Sequence, residues 1–145
     1  MPKEVATRLM VKYGTSDPFV IAQQKDISVI YEELGSALGY YNRYKRIQFI
    51  HINNNASESF QKFICAHELG HAILHSDANT PFMKKNTFFS IDRIEIEANT
   101  FAVELLLPDK VVYEHKDLNM TLNEVASLHC VPNEVAHLKS LRNIH

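Results

Sequence analysis

The sequence predicts an α+β fold in which a small antiparallel or mixed sheet packs on one long central helix, with further helices around it. Residues 38–52 are rich in aromatic and β-branched side chains, as strands are. Residues 57–75 carry apolar side chains nearly all the way round a helix, which indicates a buried position. The chain has 145 residues, 46% of them hydrophobic, and this fits one globular domain.

The first thirty residues predict two helices and a strand. Apolar residues at helical spacing over 3–13 predict the first helix, which ends at Gly14. Asp17 and Pro18 are a typical N-cap and first residue for the second helix. Residues 27–31 predict a short strand.

A hairpin is predicted over 38–52, with its polar turn at 42–45. Strand 46–52 has two interpretations. It is either an edge that a peptide substrate could extend by backbone pairing, or an inner strand that is paired on both sides.

Asn55, with Glu58 three residues later, predicts the cap of the central helix, which should run from about Ser57 to about His75. An irregular connection over 76–91 then leads to a helix that Asp92 and Glu95 can cap.

Pro108 should end that helix after Leu107, and a short helix is predicted over 109–115. Residues 121–141 have the pattern of a helix–turn–helix. We therefore expect a core over 1–115 and a helical C-terminal region, 116–145, packed on it.

Charge and composition argue against several classes of protein. The net charge of −2 argues against a general nucleic-acid binder. No apolar run approaches the roughly 18 residues of a membrane span, and the N-terminus lacks a signal-peptide pattern, so we expect a cytoplasmic protein without a membrane partner. Cys65 and Cys130 should remain thiols there.

The central helix contains the pattern H-E-x-x-H, from His67 to His71. Residues at i and i+4 share one helix face, so the two imidazoles can bind one zinc ion. Glu68 lies beside them and can act as a base that takes a proton from water.

A catalytic zinc site needs a third protein ligand, and the following helix offers Glu95, Glu97 and Glu104. Glu97 shares a helix face with two apolar residues, whereas Glu95 can cap the helix and Glu104 can remain solvated. This argument favours Glu97, but separates it only modestly from Glu104.

The segments HELGHAILH and EANTFAVELLLP, about 25 residues apart, together resemble the ImmA/IrrE-like metallopeptidases of bacteria, phages and mobile elements. The resemblance implies a zincin-like core and a thermolysin-like site. Its ligands would be His67, His71 and Glu97, with one zinc ion per chain and Glu68 as catalytic base.

One position departs from thermolysin, where an acidic residue four positions after the ligand Glu orients a ligand His. Phe101 stands at that position after Glu97, so other residues must orient the imidazoles here. His75 is interpreted as a helix-end residue that could instead line the cleft, and Cys65 as a core residue. Candidates for the donor that stabilises an oxyanion are Tyr40, Tyr41, Tyr44, His51, Tyr113 and His115.

The resemblance implies a zinc-dependent, site-specific endopeptidase that cleaves a helix-turn-helix repressor of a phage, a mobile element or a stress response. The alternative is a zinc-binding regulatory protein that binds the repressor without proteolysis.

The helices of 121–141 have three interpretations: a cover for the core, a surface for the protein substrate, or a DNA reader. Direct DNA binding is not expected, because Lys139 is the single positive charge on the second helix and Arg142 follows just beyond.

Overall fold

A computed structural model gives the structure of the protein and describes residues 1–140. Helix α1 spans Pro2–Tyr13 and ends at Gly14, whose left-handed backbone conformation suits a glycine. Helix α2 spans Pro18–Gln24, and the Asp17 side chain caps it by accepting a hydrogen bond from the amide of Phe19. Both predicted helices and the predicted cap are confirmed.

The sheet of the described chain contains β1 (Ser28–Glu32), β2 (Gly39–Tyr44) and β3 (Ile47–Asn53) in the order β1-β3-β2. Strand β1 pairs with β3 in parallel and β2 pairs with β3 antiparallel, so the sheet is mixed. Because β3 is the middle strand, the interpretation of strand 46–52 as a free edge is wrong.

The hairpin turn is tighter than predicted. Tyr44 pairs with Ile47, which leaves a two-residue turn at Lys45 and Arg46 instead of a loop over 42–45. Lys45 takes a positive φ of 58°, as such short turns require.

Helix α3 (Glu58–Leu74) carries the H-E-x-x-H pattern through the middle of the molecule. Its N-cap is Ser57, whose hydroxyl accepts from the amide of Phe60. The predicted cap, Asn55, instead lies in the preceding turn, where its amide donates to the Asn53 side chain. Helix α3 packs against α2, β2 and β3.

Helix α4 spans Arg93–Leu106 and packs closely against α3. A Cβ atom added to Gly70 would lie 3.0 Å from Phe101 and 3.3 Å from the Ala98 backbone. Glycine at position 70 therefore permits the spacing between the two helices, and with it the position of every α4 side chain that faces α3.

The connection between α3 and α4 includes a 3-10 helix over Lys85–Phe89 and a contact with the sheet. Met83 and Gly39 form an isolated antiparallel bridge, in which the Met83 amide donates to the Gly39 carbonyl at 2.8 Å. The ring of Phe82 stacks on Tyr40 at 4.4 Å between centroids. The connection is therefore attached to the outer edge of β2.

The C-terminal part of the described chain comprises α5 (Asp109–His115), α6 (Leu122–Leu128) and 3-10 helices over Lys116–Leu118 and Asn133–Leu138. The second element of the predicted helix–turn–helix is thus a short 3-10 helix, and its predicted end at Leu141 lies outside the described residues. Apolar residues from this part join the same buried cluster as the rest of the core: Val125, Ala126, Val131, Val135 and Ala136. The division at residue 115 stays a prediction.

Buried charges join this part to the rest of the chain. The Lys139 ammonium group donates to Glu104 at 2.7 Å and to Asp109 at 2.6 Å. The side chains of Lys139 and Glu104 are 0% and 2% exposed, so the expectation that Glu104 stays solvated is wrong. Because the Lys139 ammonium group is buried, it is not available to bind a DNA phosphate. Arg142 lies outside the described residues.

Among residues 1–140, none of the helices combines the length and the apolar character needed to cross a membrane.

We predict that Lys139→Met lowers the free energy of unfolding by about 1.5–3 kcal/mol, because it removes the nearest cation of the buried Glu104 carboxylate and leaves Lys3 at 3.9 Å. Urea denaturation measures the change. The exposed Lys110→Met is the matched control and should change the free energy by less than about 0.5 kcal/mol. Equal effects of the two substitutions would show that the buried pair does not stabilise the fold.

Candidate metal centre

Three side chains from two helices meet in the interior of the protein. His67 and His71 project from α3, and Glu95 projects from the first turn of α4. The Glu95 Oε1 atom lies 3.0 Å from His67 Nε2 and 3.1 Å from His71 Nε2. Within the described chain, these residues form the group whose donor atoms could hold a metal ion.

A hydrogen bond fixes the orientation of His67. Its Nδ1 atom lies 2.8 Å from Asn99 Oδ1, while the amide nitrogen of Asn99 donates to the Thr87 carbonyl at 3.1 Å. Because the oxygen of Asn99 can only accept, Nδ1 of His67 is the protonated nitrogen. The Nε2 lone pair of a neutral His67 then points at Glu95.

A second chain of contacts leads away from His71. Its Nδ1 atom lies 3.0 Å from His75 Nδ1, and His75 Nε2 lies 2.8 Å from Glu97 Oε1. Glu97 also accepts a hydrogen bond from Arg93 at 3.3 Å. His75 thus ends α3, as the sequence predicts, but its ring also contacts that of His71.

The residues present fit a divalent metal ion. Two imidazole Nε2 atoms and one carboxylate oxygen converge in the interior, where their lone pairs would repel one another without a positive charge between them. The second oxygen, Glu95 Oε2, is buried and has no hydrogen-bond partner in the described chain. Two imidazoles and a carboxylate are also a donor set that divalent metals bind.

Electrostatics keeps Glu95 ionised. Burial alone would raise the pKa of this carboxyl group. Positively charged His67 and His71 rings, each then also protonated on Nε2 and donating to Glu95, outweigh burial and lower the pKa to about 2. The hydrogen bond from His75 likewise lowers the pKa of Glu97, with a smaller contribution from Arg93.

Glu68 lies beside the cluster without a partner. Both of its carboxylate oxygens are buried and make no hydrogen bond in the described chain. Burial, together with the negative charge of Glu95, raises the pKa of Glu68 to about 8, and His71 opposes the rise. A cation at the cluster would favour the ionised form of Glu68.

The outer strand of the sheet closes over Glu68. A Cβ atom added to Gly39 on β2 would lie 3.6 Å from Glu68 Oε2, and only 2.5 Å from the Ile64 side chain. The absence of a side chain at position 39 therefore lets β2 approach α3 directly above the candidate base.

The structure places Glu95 beside His67 and His71, whereas Glu97, the third ligand expected from the sequence, contacts His75. The apolar neighbours of Glu97, four and eight positions later, did not identify the face toward α3, because α4 is buried on more than one side. The informative signal was a polar residue, Asn99, in an apolar stretch four positions after Glu95. Asn99 stands four positions after Glu95, as Phe101 does after Glu97. The residue that orients a histidine of the cluster is therefore Asn99, which contacts His67.

Several candidates for the oxyanion donor are engaged elsewhere. The Tyr41 hydroxyl donates to the Ser76 carbonyl, and the Tyr40 hydroxyl donates to Glu32. His51 contacts Glu32 and Asn42, and His115 contacts the Val111 carbonyl. The rings of Tyr44 and Tyr113 are exposed and lie beside lysines.

A groove of about 420 Å³ leads from the surface to Glu95. Three large apolar residues line it and remain 52%, 71% and 94% exposed: Phe82, Phe89 and Ile91. Glu95 belongs both to the lining of this groove and to the cluster, so the groove lies on the Glu95 side of the cluster.

Comparison with known proteins agrees with this site. The family model of the IrrE N-terminal-like domain, of the Peptidase M78 type, matches residues 22–140 and so includes α3 and α4. The "uncharacterized immunity region protein 2" of Bacillus phage phi105 is 49% identical over 143 residues, which are 98% of this chain and 90% of that protein.

A second relative is "metallopeptidase ImmA" of Bacillus subtilis strain 168, which is 36% identical over 104 residues. The match covers 70% of this chain and 60% of that longer protein. Together with the family model, these likenesses show that the chain belongs to the ImmA/IrrE-like family of metallopeptidases.

Proposed function

We propose that the protein is a zinc-dependent, site-specific endopeptidase with a zincin-like core. The observation that carries the proposal is the convergence of His67 Nε2, His71 Nε2 and Glu95 Oε1 beside an unpartnered carboxylate, Glu68. The Glu95 Oε1 atom lies 3.0 and 3.1 Å from the two Nε2 atoms, and all three donor atoms lie within 4.8 Å of one another, so these residues could hold one zinc ion together.

The residues of the site have different roles in the proposed hydrolysis. His67, His71 and Glu95 would hold the zinc ion, which supplies Lewis-acid activation of water and of a peptide carbonyl. Glu68 is adjacent to the ligands and has both oxygens free, so it can accept a proton from the attacking water and pass it to the leaving amine. The apolar surroundings of Glu68 exclude bulk water, which strengthens its interaction with a cation.

We infer that the substrate is a helix-turn-helix repressor of a phage or mobile element, encoded near this protein and cleaved in the cytoplasm. The name of the phage phi105 relative places that protein in an immunity region, and the other relative is named a metallopeptidase. A peptidase that acts at few sites in one repressor would reconcile the two names.

The alternative is a regulatory protein that binds zinc and its partner repressor without proteolysis. The observation in its favour is the burial of the cluster, since His67, His71 and Glu68 are each 0% exposed. Mixing the metal-loaded protein with the repressor discriminates between the two functions: fragments identify a peptidase, and a stable complex of intact chains identifies a binding protein.

We predict that the wild type binds about one zinc ion per chain and that Glu95→Gln loses it, because an amide is a poor ligand for zinc. Glu97→Gln is the matched control, two residues away on the same helix, and should keep the metal. Elemental analysis after removal of free zinc measures both. Loss of zinc from Glu97→Gln with retention in Glu95→Gln would instead restore the ligand set expected from sequence.

We predict that Glu68→Gln retains zinc and loses at least about 100-fold in the rate of repressor cleavage, the contribution typical of a general base. Gel electrophoresis of the repressor over time measures the rate, and the zinc content of the same samples shows that the site is intact. A metal-loaded Glu68→Gln protein that cleaves at the wild-type rate would refute the assignment of Glu68 as base.

A further inference from the structure

His71 is connected to the surface by a chain of two side chains. His75 lies between His71 and Glu97, with contacts of 3.0 Å on one side and 2.8 Å on the other. The rings of His71 and His75 are 0% and 8% exposed, while Glu97 is 29% exposed and can be ionised in contact with water. The His75 amide also donates to the His71 carbonyl at 2.8 Å, which fixes the backbone between the rings.

When a metal ion occupies the cluster and takes the Nε2 lone pairs, the remaining contacts allow one arrangement of protons for neutral rings. An ionised carboxylate accepts hydrogen bonds only, so Glu97 requires the proton of a neutral His75 to be on Nε2. The Nδ1 atom of His75 then carries a lone pair and can only accept. Nδ1 of His71 must therefore carry the proton of that ring, and Nε2 of His71 keeps its lone pair toward Glu95.

We propose that Glu97 and His75 are positioning residues, which act through hydrogen bonds to hold His71 in the tautomer and orientation that binds the metal. The proposal rests on the proposed metal site. It gives Glu97 a role outside the ligand set, since its carboxylate would influence the metal through two imidazole rings.

His67 provides the comparison within the same cluster. Its Nδ1 proton is accepted directly by a neutral amide, that of Asn99, and no second ring lies between them. Although both Nε2 atoms face Glu95, the Nδ1 atoms of the two histidines have separate partners, so a change at Glu97 should reach His71 without altering the Nδ1 contact of His67. This independence gives the experiment an internal control.

The experiment compares the wild type with Glu97→Ala, which removes the acceptor, and Glu97→Gln, whose amide oxygen can still accept. Arg93→Ala is the matched control, because the 88% exposed Arg93 contacts Glu97 but neither histidine. Long-range ¹H–¹⁵N correlation spectra of the Zn²⁺-loaded proteins, at about pH 8 where ordinary imidazoles are neutral, report which nitrogen of each ring is protonated. Competition with a chelator then measures the affinity for Zn²⁺.

We expect wild-type His71 to be protonated on Nδ1 and His75 on Nε2. In Glu97→Ala the His75 ring should become a mixture of tautomers, with His67 unchanged, and the affinity for Zn²⁺ should fall about 10-fold or more, as for other partners of metal-binding histidines. Glu97→Gln should restore most of the affinity, and Arg93→Ala should resemble the wild type. An unchanged His75 tautomer or an unchanged Zn²⁺ affinity in Glu97→Ala would overturn the proposal.

His71→Ala separates this result from a failure of the proposed function. If the wild type binds Zn²⁺ and His71→Ala does not, the metal site stands whatever Glu97→Ala shows. If the wild type binds no Zn²⁺, the proposed function fails, and the positioning role of Glu97 and His75 fails with it.

Discussion

The close contact between α3 and α4 is the constraint on which the rest of the site depends. Gly70 on α3 leaves no side chain between the helices, so the backbone at Ala98 approaches directly. Glu95, three positions before Ala98, is thereby brought to the Nε2 atoms of two histidines. Three buried donor groups without a cation would destabilise the core, and a metal ion would turn the same convergence into a cross-link between helices.

Much of the fold could be predicted from local patterns. Capping residues such as Asp17 and Asp92 and the stop at Pro108 act within a few residues of where they stand, and the structure confirms them. The sequence pattern favours Asn55 as the cap of α3, whereas the cap is Ser57, because both residues are good caps. Only the preceding turn, which the Asn53 side chain closes, decides between them.

The third residue of the cluster required tertiary information. Glu95 and Glu97 both lie in the first turns of an amphipathic helix, and apolar spacing alone shows that α4 has buried faces without showing which one meets α3. The burial of Glu104 could not be predicted from the sequence either, because its partner Lys139 is 35 residues away along the chain. In both cases the pairing depends on contacts between distant elements, which composition and periodicity do not encode.

The bridge between Met83 and Gly39 has a consequence for any extended chain that reaches the outer strand. The backbone of β2 at Gly39, just above Glu68, is already hydrogen-bonded by the connection between α3 and α4. A second polypeptide can pair with Gly39 only after Met83 has left, so docking there exchanges one backbone pairing for another. The difference in free energy between the two pairings, and not the free energy of the new one alone, then determines which sequences are accepted.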